Sequence, residues 1–389
     1  LMRIINANDF VSPGAADADI IQKAIDAASP GDTVRIPRFN VSGDSNEWHI
    51  GKAILVGTGV TVLLDNCRLV LKTGIYDNMF RNRDGASGFS IIGEGSAVLS
   101  GGEWNYLSNN MSGKYGLPDV SVNALLKFSH AKHAVIRNIR FEMARWASVM
   151  IDHSEDVRIE DLWFEMVPHV KDLYGVLIGC GCRNISVENL TGRTGDDTVY
   201  IFADSKRYPV TADAEIRGVR LRNIVTDPKF ESIVHIRANG GHKIRDIRMD
   251  GIVDSSDFFD KKRIHANVHI GDREAELHPA VPSDISGIRL VNAFSSAVNT
   301  FSLNGSFSDS CFENVFTFGD NINIINNSSC EVQTENVRFR RLYYGKGSEP
   351  NNSTSFISRY AIGALPVVAD NIKGDLKVEK LIDVDEEDI

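Results

Sequence analysis

A short pattern recurs along most of this chain: alternating apolar positions, then a small polar residue, then one more apolar residue. It occurs as VIRNI ending at Ile139, VRIEDL at Leu162, ISVENL at Leu190 and VRLRNI at Ile224. It returns as IRMDGI at Ile252, IRLVNA at Ala293, CFENV at Val315 and VQTENV at Val337. The small residues are Asn138, Asp161, Asn189, Asn223, Gly251, Asn292, Asn314 and Asn336, spaced 23, 28, 34, 28, 41, 22 and 22 apart. Period-two alternation marks half-buried strands. Copies near 22 residues with variable insertions mark a solenoid of strands. One copy cannot bury its apolar side alone, and stacking coil upon coil makes a continuous core. An asparagine at the same corner of each coil tolerates a left-handed conformation and bonds neighbouring backbone. Less regular coils are visible at Val60 to Asn66 and Phe89 to Gly95. The total is roughly ten coils.

Other repeat folds fit less well. The leucine spacing of a leucine-rich solenoid is absent, and there is no helix in each repeat. A propeller blade or sandwich needs a longer unit than the late copies offer. The spacing therefore predicts an all-β, single-stranded parallel β-helix as one domain over 1–389. Residues 1–40 supply a first strand, a capping helix and the first coil. Asp19 to Ala28 carries apolar residues at helical spacing, with Asp17 or Asp19 as its cap and Ser29-Pro30-Gly31 as its stop. Thr33 to Ile36 reads as a strand. Such a helix suits the plug on an open sheet end. Residues 350–389 read as a C-terminal cap and acidic tail, with strands expected at Tyr360 to Val368 and Leu376 to Ile382.

Composition limits the function classes. Apolar residues make up 42% and charged residues 24%, which excludes general disorder. The net charge of -10 argues against a general nucleic-acid surface. No apolar run reaches the roughly 18 residues of a membrane-spanning helix. The scattered Cys67, Cys180, Cys182, Cys311 and Cys330 read as buried free thiols. No metal-site spacing or cofactor motif occurs, so neither a metal nor a cofactor is expected; His265, His269 and Asp272 are too loosely spaced to imply one. No signal peptide is visible, although Leu1-Met2 leaves a removed leader open. A secreted or periplasmic setting is expected over a cytoplasmic one, and a homo-oligomer is compatible.

The opening Ile20 to Pro37 (IIQKAIDAASPGDTVRIP) resembles the start of the pectate-lyase-like β-helix superfamily. That resemblance implies a right-handed helix. Thr194 to Ile201 (TGDDTVYI) resembles the double-aspartate segment of the polygalacturonase-like glycoside hydrolases of family 28. One coil earlier that family has NTDG, where this chain has Asp172-Leu173-Tyr174-Gly175. One coil later it has GHG and then RIK, where this chain presents Glu231 and His235. The resemblance implies a divergent glycan-active site.

Seven or eight residues past each polar corner lies the next strand of the same coil. That placement aligns Arg145, His169 or Asp172, Asp196-Asp197 and Glu231 in one column, with adjacent strands about 4.8 Å apart. Glycoside hydrolysis needs a proton donor and a second carboxylate. Asp196 or Asp197 is the expected acid, and Asp172 or Glu231 the second group. This requires the aspartate pair to face solvent; as mere turn residues they would carry no chemistry. Arg145, His169 and His235 are candidates for a substrate carboxylate or hydroxyls. Trp146 and Tyr174 are the preferred sugar platforms, with Trp163 expected to be structural. Lys206 and Arg207, in the insertion Ala203 to Asp213, can meet an acidic sugar.

Three functions remain open. The leading one is a glycoside hydrolase on a polysaccharide or oligosaccharide, with a uronate-containing chain in view. The second is a polysaccharide lyase using Lys171, Arg145 or His169 as base. The third is a glycan-binding β-helix without catalysis. A fructan-transforming enzyme shares only the architecture.

Overall fold

The computed structural model describes residues 2–103, 120–166, 172–204, 209–256, 266–271, 279–297, 299–318, 322–325, 332–345, 367–370 and 372–384. The chain forms two compact units, Leu1–Asp196 and Asp197–Ile389. The boundary falls between the two neighbouring aspartates. The fold is that of a right-handed parallel β-helix with an N-terminal capping helix.

In the first unit, one sheet runs through Thr33–Pro37, Thr61–Asp65, Ser90–Glu94, Val135–Glu142, Arg158–Glu165 and Arg183–Thr194. A second sheet runs through Ile54–Val56, Phe80–Asn82, Leu126–Ser129, Ala147–Asp152 and Tyr174–Ile178. Consecutive coils pair in parallel and in register, as in Ile136↔Ile159 and Ile159↔Val187. The alternating apolar residues face inward, so Ile136, Ile159 and Val187 are fully buried.

The second unit repeats the scheme. Ile216–Pro228, Ile244–Asp254, Ile285–Ser295, Phe307–Phe318, Val332–Gly345 and Ile372–Val384 form one sheet. Val199–Ala203, Ser232–Ala238, Ala266–Gly271, Asn299–Asn304, Ile322–Ile325 and Val367–Asp370 form the other.

The polar corners are left-handed, as the sequence predicts. Asn138, Asp161 and Asn189 have φ of 57, 56 and 56°; Asn223, Gly251, Asn292 and Asn314 have 53, 73, 61 and 54°. Their side chains tie coil to coil: Asn189 Nδ2 donates to Asp161 Oδ1 at 2.8 Å and Asn314 Nδ2 to Asn292 Oδ1 at 3.1 Å. The last copy is a correction. Asn336 belongs to a different corner, where its Nδ2 donates to Asp309 Oδ1 at 2.8 Å. In register with Asn314 stands Arg341, left-handed at φ 50°, whose Nε donates to Asn314 Oδ1 at 2.6 Å.

The capping helix spans Asp17–Asp26 and buries Ile20, Ile21, Ala24 and Ile25. Its N-cap is Ala16 rather than an aspartate. Asp17 and Asp19 sit in the first turn, where negative charge suits the helix dipole. The Asp17 carboxylate accepts the His49 N–H at 2.6 Å, fastening the plug to the coil beneath. Thr33–Pro37 is a strand, as expected. The strand expected at Leu376 to Ile382 is present within Ile372–Val384; of the one expected at Tyr360 to Val368, Val367 and Val368 lie in the strand Val367–Asp370, while 360–366 and 385–389 lie outside the described residues. Cys67, Cys180 and Cys182 are buried free thiols and Cys311 is a half-buried one; Cys330 lies outside the described residues. Burial pushes the Cys67 thiol up to about 12. Among the described residues no helix is long and apolar enough to cross a membrane.

Candidate functional site

In the first unit, Thr194 ends its strand and the chain turns sharply. Gly195 N and Asp196 N both donate to the Leu173 carbonyl, at 3.1 and 3.0 Å. The Thr194 hydroxyl closes the turn on the Asp196 carbonyl at 2.7 Å. Asp196 Oδ2 then accepts the Asp172 N–H at 2.9 Å. Asp172 is half-buried at a left-handed corner, φ 58°. Two candidate acids from adjacent coils are thus brought together, through backbone and side chain.

In the second unit, Asp197 Oδ1 accepts the Ser232 N–H at 2.9 Å, and Oδ2 meets His235 Nδ1 at 2.9 Å. The other ring nitrogen, Nε2, lies 2.6 Å from the Gly271 carbonyl oxygen. A carbonyl only accepts, so Nε2 carries a proton. The Nδ1–Oδ2 contact then needs one further proton, held on His235 or on Asp197. Gly271 fixes this arrangement: at φ +89°, a Cβ there would stand 2.1 Å from Gly305 N. Glu231 precedes Ser232, so the backbone of a second carboxylate residue adjoins Asp197.

The register builds the surroundings. Tyr200, His235 and His269 occupy one position on successive strands. Their rings stack, with centroids 4.5 Å apart for Tyr200–His235 and 4.1 Å for His235–His269. Asn304 Nδ2 reaches His269 Nε2 at 3.0 Å. Arg237 approaches the Tyr200 hydroxyl at 3.3 Å and the Asp204 carboxylate at 4.0 Å.

Several expectations need correction. Asp196 and Asp197 are 5% and 2% exposed, so neither stands open in a groove. Their carboxylates accept backbone N–H groups, and that anchoring draws them inward. Arg145 is 1% exposed and binds no open face. Its guanidinium donates to the carbonyls of Gly101 at 2.8 Å, Lys72 at 2.9 Å and Ile75. Burial pulls its pKa down to about 10, still charged at neutral pH. It is a brace between coils. Trp146 is 2% exposed and packs edge-to-face on the buried Tyr174, centroids 6.1 Å apart, so neither offers a sugar platform. His235 is buried with both nitrogens engaged, which removes the role of open substrate ligand. His169, Lys206 and Arg207 lie outside the described residues.

Trp163, expected to be structural, is instead exposed, at 50%. The Arg140 guanidinium lies 5.1 Å from its ring centroid. Both line a groove of about 430 Å³ over the corners of the first unit, with Asn138, Asp161, Asn189 and Gly95. Alternation carries the signal: past the Asp161 corner, Leu162 and Phe164 point in and Trp163 points out.

No known family model matches the chain. Solved structures match its fold. A hyperthermoactive exopolygalacturonase from Thermotoga maritima is similar at TM-score 0.62 and 12% identity, covering 98% of this chain and 91% of that one. A family 28 exopolygalacturonase from Yersinia enterocolitica gives TM-score 0.61 and 12% identity over 100% and 79% of the two chains. PfbA, a surface adhesin of Streptococcus pneumoniae, gives 0.58 and 12% over 98% and 91%. The likeness is one of fold.

Proposed function

We propose that the protein is a carbohydrate-active β-helix enzyme, a glycoside hydrolase acting on a polysaccharide or oligosaccharide, with a uronate-containing chain as the favoured substrate. The observation that carries this reading is the Asp197–His235 pair and its single proton; Asp197 is buried, so hydrolysis requires substrate binding to uncover it. Asp197 delivers the shared proton to the leaving oxygen while His235 holds its carboxylate in place; the attacking water gives up a proton to the second carboxylate, and transfer of that proton to Asp197 restores the acid. Glu231 is the second carboxylate that hydrolysis requires. The fold shared with two exopolygalacturonases supports the reading.

The burial of Asp196 and Asp197 favours a second reading, glycan binding without cleavage, which suits a fold also shared with an adhesin. Incubation of wild type and Asp197→Asn with a panel of neutral and uronate-containing glycans separates the two. Saturated products that appear with wild type and vanish in Asp197→Asn support hydrolysis. Unsaturated products assign a lyase. Binding without product assigns a recognition protein.

A further inference from the structure

On the outer face of the longer sheet of the second unit, the register places one basic residue above another. Arg220 pairs with Arg248, and Arg248 with Arg289. Cys311 follows in the same position, then Arg338, then Lys377. Strands sit about 4.8 Å apart, so the column extends about 24 Å. Arg220, Arg248, Arg289 and Lys377 are exposed, and Arg338 is half-buried. Among the described residues, the guanidinium groups of the four arginines make no hydrogen bond or ion pair.

Like charges directly opposite on neighbouring strands are destabilising. None of the flanking acids Asp246, Asp250, Asp309 and Glu313 pairs with a residue of the column. Asp246 meets Arg217 Nε at 2.9 Å, Asp250 accepts from Asn292 Nδ2 at 2.8 Å, Asp309 accepts from Asn336 Nδ2 at 2.8 Å, and Glu313 pairs with Arg341. The corresponding column of the first unit reads Ser90, Val135, Arg158 and Ser186, with a single charge. Stacked cations are therefore not a requirement of the coil.

We propose that this column is a binding strip for a linear acidic polysaccharide, whose carboxylates or sulfates lie along the coil axis. The coil repeat is close to the length of one pyranose in an extended chain, so the anions of one chain can meet Arg220, Arg248 and Arg289 on successive coils and Arg338 beyond Cys311. A nucleic acid fits poorly. The chain carries a net charge of -10, and the neighbouring columns hold Asp246, Asp250, Asp309 and Glu313 instead of aromatics for base stacking. The strip uses none of the residues assigned to hydrolysis and stands whether or not the protein cleaves glycans.

The test is binding of the full chain to immobilised polygalacturonate and dextran sulfate, with neutral dextran as control and single-stranded DNA as competitor. The Asp197→Asn background keeps the polymer intact. Binding to at least one acidic polymer, released by salt, is expected. The Arg220→Gln/Arg248→Gln/Arg289→Gln/Arg338→Gln variant should bind at least about tenfold more weakly, each exposed ion pair contributing about twofold or more. The matching Arg→Lys variant should retain most of the affinity. Preference for one polymer identifies carboxylate or sulfate as the anion recognised. Should the glutamine variant fail to fold, Arg248→Gln/Arg289→Gln is read for an affinity loss of about threefold or more. Unchanged affinity in the glutamine variants overturns the proposal. So does failure of the parent to bind either acidic polymer at low salt, or tighter binding to DNA than to both.

Discussion

His235 Nδ1 lies 2.9 Å from Asp197 Oδ2 while Nε2 is committed to the Gly271 carbonyl, so the two side chains share one proton. Asp197→Asn can keep both contacts, accepting from Ser232 N and donating to a neutral His235. It should melt close to wild type while turnover falls about 10²–10⁴-fold, the range for general acid–base catalysis. His235→Ala removes the partner of a buried carboxylate. It should cost about 3–5 kcal/mol of stability. Thermal melts with glycan turnover check both; equal turnover in Asp197→Asn would remove Asp197 from the reaction.

Much of the fold is legible because strand period and corner chemistry are local. Asn138, Asn189 and Asn292 announce left-handed corners by residue type. The same rule misplaces Asn336, because each of these late coils has two left-handed corners and an asparagine marks either. Arg341 fills the expected rung with a residue type that gives no such signal. Trp163 could have been read as exposed from alternation alone. Arg145 could not: its acceptors at Gly101, Lys72 and Ile75 lie 44, 73 and 70 residues away and are all backbone. The inward pull on Asp196 and Asp197 is equally hidden, since it depends on the N–H groups of Asp172 and Ser232.

Arg145 offers a direct check on the distinction between brace and ligand. Arg145→Met leaves the buried Gly101 carbonyl without this donor, at a cost of about 1–3 kcal/mol, while the Lys72 carbonyl keeps the Ile75 N–H at 3.3 Å. The expected loss is about 1–3 kcal/mol, with Arg145→Lys intermediate because an ammonium cannot match the planar fork. Urea unfolding reads the loss. A variant of unchanged stability that loses glycan affinity would instead restore Arg145 to substrate binding.

The corner at Asn189 separates two contributions. Its φ of +56° strains an ordinary side chain, and its Nδ2 holds Asp161. Asn189→Gly removes the hydrogen bond but accepts the conformation. Asn189→Ala loses both and should be the less stable of the two by about 1–2 kcal/mol. Denaturation midpoints of the pair check this; equal midpoints would mean that the left-handed backbone is not what selects asparagine there.

Acid should loosen the N-terminal end through Asp32. Side-chain hydrogen bonds from Arg3, with Nε at 3.0 Å, and backbone N–H groups of Ser29 and Arg3 hold its carboxyl far below the ordinary range. The folded state therefore favours the ionised form. The resulting stability is complete above the unfolded value of about 3.9 and drains away as pH falls below it. Asp32→Asn should be less stable than wild type at neutral pH, and the gap should narrow as pH drops below about 4. Because Arg3 remains largely in water, salt should narrow the neutral-pH gap as well. Melting curves across pH and salt test the claim, and a gap independent of pH would place the anchoring in the neutral hydrogen bonds alone.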